Sequence, residues 1–168
     1  MLRNLHPDDA PRMYAIRTHP TTLAFQPWHP ADLGEVAAFI ETQHERALDE
    51  RGWLQLAIVE KTTGLYIGDV GIHVQPDTAQ VELGITIAPA MRRNGFGTEA
   101  LLAVMAYLFE EVGVHRIIGV ADNRNTASLA MLQRCGLRQE AVLRESGQRR
   151  GVWSDEVVFA ILREEWRR

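Results

Sequence analysis

Seven consecutive residues, Arg92-Arg93-Asn94-Gly95-Phe96-Gly97-Thr98, bring together two arginines, an asparagine and two glycines. Leu101, Met105, Leu108 and Val112 follow at helical spacing, so the glycines fall at the start of a helix. Amides at a helix start point outward unpaired and favour negative charge, and glycine carries no side chain to hold an anion away. These features suit a pyrophosphate. A glycine inside a helix costs about 1 kcal/mol relative to alanine, so two near the first turn call for an explanation. A solvated loop with a close helix-to-sheet contact is one. Gly95-Phe96-Gly97-Thr98-Glu99-Ala100 also satisfies the G-x-G-x-x-A dinucleotide pattern, with Asp122 ending the next expected strand. Against a dinucleotide site, the turn should leave its strand almost directly, whereas Ala88 to Asn94 intervene after Ile87, and too few strands follow for a doubly wound sheet. An ATP-binding P-loop is weaker still, because its Lys-Ser or Lys-Thr pair is missing.

The elements that position this loop are legible from periodicity and turn residues. Leu2 to Leu5 reads as a short strand and Pro7 to Arg17 as a helix with Pro7, Asp8 and Asp9 in its first turn. Phe25-Gln26-Pro27-Trp28-His29-Pro30 breaks regular structure before a second helix running to about Arg51. Trp53 to Glu60, Leu65 to Val74 and Ala79 to Ile87 read as strands; their connections, Lys61 to Gly64 and Gln75 to Thr78, are too short for parallel crossovers, so an antiparallel meander is expected. The helix Gly97 to Val112, stopped by Gly113, and the strand His115 to Ala121 then form a strand-helix-strand crossover. Asn125 to Cys135 reads as a helix terminated by Gly136, and Leu137 to Leu143 and Val152 to Leu162 as the last strands. The fold class is α/β, a mixed sheet covered by helices with antiparallel strands at its start and end.

With 168 residues, 46% apolar and 24% charged, the chain fits a single domain over residues 1–168. A net charge of −4 argues against sequence-independent attraction to nucleic acid, so no nucleic-acid partner is expected. The lone cysteine, Cys135, excludes a disulfide framework and a multi-cysteine zinc site, and suits a reducing cytosol. It reads as a small packing residue. No apolar run reaches membrane-spanning length and the start lacks a signal-peptide core, so a cytoplasmic protein without a membrane partner is expected. The six histidines show no paired metal-ligand spacing, and no metal is expected.

Arg92, Gly95 and Gly97 resemble motif A of the GNAT acetyltransferases, in which Arg or Gln, two variable residues, Gly, one variable residue and Gly or Ala wrap the pyrophosphate of CoA. Asn125, Ser128 and Gly136-Leu137 resemble that family's motif B, with Leu137 in place of its usual Phe. The order of elements matches over nearly the whole chain. Glu82 to Ile87, Asn123-Arg124-Asn125 and Trp153 to Phe159 look most like the RimJ/RimL branch, whose members acetylate protein N-terminal amines and whose relatives modify polyamines or other small amines. The resemblance implies the GNAT fold, with a mostly antiparallel sheet and a splayed pair of parallel strands ending at Ile87 and Ala121. Acetyl-CoA would lie in that gap and the amine acceptor would enter from the other side. A homodimer is compatible with the resemblance.

The same resemblance implies roles. Ile87, through its backbone amide, would stabilise an oxyanion, and Arg92, Arg93, Asn94, Gly95, Phe96, Gly97 and Thr98 would cradle the cofactor. Asn123 and Asn125 would bond the pantetheine arm, although asparagines also form turns unaided. The expected reaction is direct attack of a neutral amine on the acetyl carbonyl, with Glu82 as base, directly or through water; a solvated strand carboxylate is the plain alternative. The family's common tyrosine acid is absent, its position being Leu132, so Ser128 falls to the CoA sulfur unless it merely bonds its own helix start. Trp28 and Trp153 are candidates for the acceptor site, or else packing and edge residues. Arg134 is a weaker candidate for a CoA phosphate. An α-amine, with a pKa of about 8, needs less help from a base than a lysine-like amine of roughly 10, which favours an N-terminal acceptor. A small-molecule amine acetyltransferase and a noncatalytic CoA-binding sensor are the alternatives.

Overall fold

The computed structural model describes residues 1–44, 46, 48, 52–75, 79–149 and 151–166. One sheet carries seven strands: β1 (Leu2–Asn4), β2 (Gly52–Val59), β3 (Tyr66–Gln75), β4 (Gln80–Ile87), β5 (Arg116–Asp122), β6 (Arg138–Arg149) and β7 (Val152–Leu162), in the spatial order β1-β2-β3-β4-β5-β7-β6. The β2-β3-β4 meander is antiparallel as its short connections require, and the one parallel neighbour pair is β4 with β5. Between them the chain passes through α4 (Phe96–Tyr107), which continues as a π-helical turn over Leu108–Val112 and stops at left-handed Gly113. The remaining helices are α1 (Ala10–Arg17), α2 (Pro20–Leu23), α3 (Leu33–His44) and α5 (Thr126–Arg134).

Helices cover both faces. Leu101, Val104 and Met105 of α4 and Leu108 of the π-helical turn pack with Leu132 of α5 on Val70, Ile72, Val81, Leu83 and Ile117 of the sheet. On the opposite face, Met13 and Ile16 of α1 and Val36 and Ile40 of α3 pack on Ala57, Val59 and Tyr66. This second face also holds a buried polar group. Arg17 Nη2 donates to Asp69 Oδ1 and Tyr66 Oη to Asp69 Oδ2, each at 2.5 Å. Burial, reinforced by the Asp69 charge, pushes the Tyr66 hydroxyl well above its usual pKa.

Several expected boundaries move. The helix expected over Pro7 to Arg17 opens with a 3-10 turn, Pro7–Asp9, because the Asp9 carboxylate folds back to accept from the His6 amide at 2.8 Å and ties the entry. The expected helix to about Arg51 ends at His44, and most of the rest of that stretch lies outside the described residues. The expected strand Leu137 to Leu143 continues to Arg149: residues beyond Leu143 are polar but rejoin β7 after a register shift. The α2 turn was not expected; His19 caps it, accepting from the Thr21 amide at 3.3 Å, and Pro20 opens it.

Candidate active site

Strands β4 and β5 pair at only three positions, Gln80 with Arg116, Val81 with Ile117 and Glu82 with Ile118, although β4 runs on to Ile87 and β5 to Asp122. Beyond Glu82 the two strands part. The Ile85 carbonyl accepts instead from Gln26 Nε2 at 3.1 Å, and the Ile87 carbonyl from Arg92 Nε at 3.0 Å. The Ala88 amide turns back to the Ile67 carbonyl at 2.8 Å, so alternation directs the Ile87 amide the other way, into the gap.

A cavity of about 790 Å³ opens at this split, walled by Ile85–Ile87, by α2 and the loop after it, and by the starts of α4 and α5. Gly95 forms the N-cap of α4 in the left-handed conformation, φ +85°, and no side chain caps the helix. The amides of Phe96, Gly97 and Thr98 are left open at the cavity wall. A Cβ added at Gly95 would meet nothing within 4 Å, whereas one at Gly97 would come within 2.9 Å of Met131 Sδ. The first glycine therefore keeps a surface open, and the second lets α4 approach α5. Among the described residues, the lining carries Arg92, Arg93, Arg124 and Arg134 and no carboxylate, in a chain whose net charge is −4. An uncapped helix start beside a wall whose charged side chains are all arginines fits a pyrophosphate and the phosphates near it.

The arginines divide by what they already hold. Arg92 is committed: besides the Ile87 carbonyl it donates to the hydroxyls of Thr21 at 3.0 Å and Thr22 at 2.9 Å, so it fastens α2 to the end of β4. Arg124 is bonded through Nε and Nη2 to Asp122, whose carboxyl it holds far below the ordinary carboxylate range. Arg93 and Arg134 are exposed on the lining with no partner among the described residues, and Arg93 stands in the left-handed region at φ +63°. Arg134 is the weaker candidate of the sequence for a CoA phosphate, and Arg124 enters there only within Asn123-Arg124-Asn125, with no role of its own.

The other candidates separate likewise. Phe96 and Thr98 line the cavity; Asn94 does not, its side chain donating to the Arg92 carbonyl at 3.3 Å. Asn125 caps α5, its Oδ1 accepting from the Ser128 amide at 3.3 Å, and both residues line the cavity. The Ser128 hydroxyl has no hydrogen-bond partner among the described residues, leaving it available to a ligand. Asn123 is exposed, its amide bonded to the Asp155 carbonyl at 2.9 Å, and lies off the lining. Trp28 also lies off it: the ring packs on Phe39 with centroids 4.5 Å apart, Arg17 lies 5.4 Å from its centroid, and Nε1 donates to Glu35 at 2.9 Å. Trp153 is exposed in the β6-β7 hairpin, opposite Gln148.

Glu82 occupies the other face of the split. Its neighbours Val81 and Leu83 belong to the α4-side core, so alternation turns Glu82 away from α4. It is half-buried and in register with His73. Burial raises its carboxyl above the ordinary range; His73 opposes the shift and Glu156 adds to it. The cationic cavity and this carboxylate meet only across the gap between β4 and β5. An anionic group held on one face of the sheet and a proton acceptor on the other would fit this arrangement.

The family described as Acetyltransferase (GNAT) domain matches residues 1–138, and the chain belongs to this family. YnaD of Bacillus subtilis, an uncharacterised N-acetyltransferase, is 33% identical over 85 residues, about half of each protein: 51% of this chain and 50% of YnaD. YoaA of the same organism, likewise an uncharacterised N-acetyltransferase, is 26% identical over 164 residues, 97% of this chain and 93% of its own. The solved structure of a GNAT-family acetyltransferase from Bacillus anthracis superimposes with a TM-score of 0.87 at 20% identity, covering 97% of this chain and 94% of that one. The protein is an acetyl-CoA-dependent N-acetyltransferase.

Proposed function

We propose that the acceptor is the α-amine at the N-terminus of a peptide or protein, as in the RimJ/RimL branch that the sequence resembles. The observation that carries this reading is Glu82, a half-buried carboxylate beside the split with its pKa raised by burial. Such a group is a competent but modest base, suited to an amine of pKa about 8.

Acetyl-CoA supplies an acetyl group already activated as a thioester. The open amides of Phe96, Gly97 and Thr98, with Arg93 and Arg134, hold its phosphates. Arg92 and Gln26 keep the Ile87 and Ile85 carbonyls occupied, leaving the Ile87 amide to face negative charge on the acyl oxygen. Glu82 takes the proton from the attacking amine, and the Ser128 hydroxyl steadies the sulfur. Leu132 is buried in the core, so the side chain at the family's tyrosine position takes no part in acid catalysis. This reading places the enzyme in the cytoplasm, where free peptide N-termini and acetyl-CoA meet.

The test is acetyl-CoA-dependent release of free thiol with a panel of N-terminal peptides, polyamines and aminoglycosides. Peptides should give the highest kcat/KM, and acetylation should map to the α-amine by mass spectrometry. Turnover confined to polyamines or aminoglycosides overturns the acceptor. CoA binding without thiol release across the panel makes the protein a sensor instead.

A further inference from the structure

The acceptor face carries a feature that the chemistry above does not use. Trp53 on β2, His73 on β3 and Glu82 on β4 stand in one cross-strand row, and cross-strand partners share a face. The indole stacks on the His73 ring at 5.2 Å with the planes 21° apart. The next row toward the split holds two glycines, Gly71 and Gly84, paired with each other. Glycine weakens a strand interior, and its recurrence there marks close approach of another group. Here the groups are the Gln55 side chain and the same indole. A Cβ on Gly71 would lie 2.8 Å from Gln55 Nε2 and 2.9 Å from the ring at Cε3, and one on Gly84 would meet the ring at Cζ3 in ordinary contact at 3.5 Å. The ring therefore spans from β2 to β4 in a trough made by the glycine pair, with 37% of the residue still exposed.

Gly84 is two residues beyond Glu82 on the same strand and face, a distance of about 7 Å. A phenylalanine side chain reaches nearly that far from its own α-amine, and a leucine side chain covers part of the distance. Among the described residues, three carboxylates near Glu82 are already engaged. Glu156 accepts from Arg149 Nη2 at 3.1 Å and Ser146 Oγ at 3.0 Å, Asp69 is bonded to Arg17 and Tyr66, and Asp122 is bonded to Arg124. An extended polycation finds one uncommitted acid here. A single amine flanked by an apolar group finds both of its partners.

We propose that Trp53 is the specificity-determining residue of the acceptor site: its indole receives the first side chain of a peptide whose α-amine reaches Glu82, selecting apolar or aromatic first residues. This deepens the N-terminal reading and rests on it.

The experiment compares kcat/KM on peptides identical except for the first residue, Phe, Leu, Gly or Asp, with spermidine alongside. It uses the wild-type protein, Trp53→Ala and Trp53→Phe. The wild type should favour Phe and Leu over Gly and Asp by about tenfold or more, as a side chain in an apolar pocket provides. Trp53→Ala should flatten that preference to within about threefold, and Trp53→Phe should restore most of it. Acetyl-CoA affinity by calorimetry should stay the same in all three. A loss in Trp53→Ala that is equal for all four peptides makes the residue structural only and overturns the proposal, as does a wild type with no first-residue preference. If spermidine is acetylated and no peptide is, the N-terminal reading itself has failed, and that outcome is separable because it appears in the wild type alone.

Discussion

Replacing Asp69 by asparagine tests the buried group that anchors the loop after α2. Arg17 and Asp69 expose only 6% and 2% of their side chains, so neither charge has water to fall back on. The guanidinium also donates to Gln26 Oε1 at 3.4 Å, and Gln26 Nε2 in turn donates to the Ile85 carbonyl at the split. Asp69→Asn keeps the shape and an acceptor for Tyr66 but leaves Arg17 buried without a counter-charge. Breaking a buried pair from one side costs about 3–5 kcal/mol. For a domain of this length each kcal/mol moves Tm by about 2–4 °C, so the expected fall is roughly 6–20 °C by calorimetry. Because the Arg17–Gln26–Ile85 chain reaches the gap, KM for acetyl-CoA should rise as well. Arg17→Met combined with Asp69→Asn removes both charges and should be more stable than Asp69→Asn alone, since the uncompensated ion is gone. A loss below about 1 kcal/mol in the single variant, or a double variant no better than the single, refutes the claim that the pair is held by mutual neutralisation in a dry site.

Gly68→Ala should destabilise the fold at the upper end of the 1–3 kcal/mol typical of overpacking. The new Cβ would lie 2.1 Å from the Thr86 carbonyl oxygen, which is backbone and cannot swing aside, so urea unfolding should show the loss and acetyl-CoA affinity should fall with it. Glu82→Gln should lower kcat while raising Tm. The folded protein holds the Glu82 proton more tightly than the unfolded chain does, so the carboxylate costs stability that grows as pH rises from the ordinary value of 4.5 through the raised one. Melts of the two proteins should therefore separate near pH 7 and converge below that ordinary value; equal Tm values at pH 7 contradict the assignment. Cys135 is buried and burial pushes its thiol up to about 11. Roughly one molecule in a thousand is then thiolate at pH 8, so a disulfide reagent should titrate no thiol until the protein is denatured, and early modification of the native protein counts against the burial.

The expected fold was readable wherever one physical signal dominated. Alternation and short connections marked β2, β3 and β4, and the spacing of Leu101, Met105 and Leu108 marked α4. Glycines in the left-handed region, Gly113 at φ +80° and Gly136 at φ +89°, end their helices where the sequence suggested. The misses are segments in which tertiary partners outweigh local pattern. Pro20–Leu23 is one helical turn, too short for any periodicity. Arg144 to Arg149 lies beyond the strand expected to end at Leu143, yet β6 runs on through it because Gly147 to Arg149 pair with β7 after the shift that spans left-handed Glu145. At the expected cofactor loop the structure separates two residues that the sequence treats alike. Arg92 and Arg93 are the same chemistry in adjacent positions, and only the hydroxyls of Thr21 and Thr22, seventy residues away in the chain, make the first a brace.

The acceptor side was least legible because it depends on a break in alternation at Gly68. In β3, Ile67, Val70 and Ile72 face the α4-side core, while Tyr66, Asp69, Gly71 and His73 belong to the other face. Tyr66 and Asp69 share a face three residues apart, which strict alternation forbids. The bulge where β2 and β3 shift register, between Ile58 and Val59, supplies the extra residue. One residue fewer would turn Gly71 and His73 toward α4 and bring Val70 and Ile72 out in their place. The Tyr66–Asp69–Arg17 group would be broken and Trp53 would lose both its trough and its stacking partner. A sequence reading that alternates through β3 without interruption places the residues on one side of Gly68 on the wrong face. Trp53 carries no signal in such a reading, because its place is fixed by a glycine fifteen positions away.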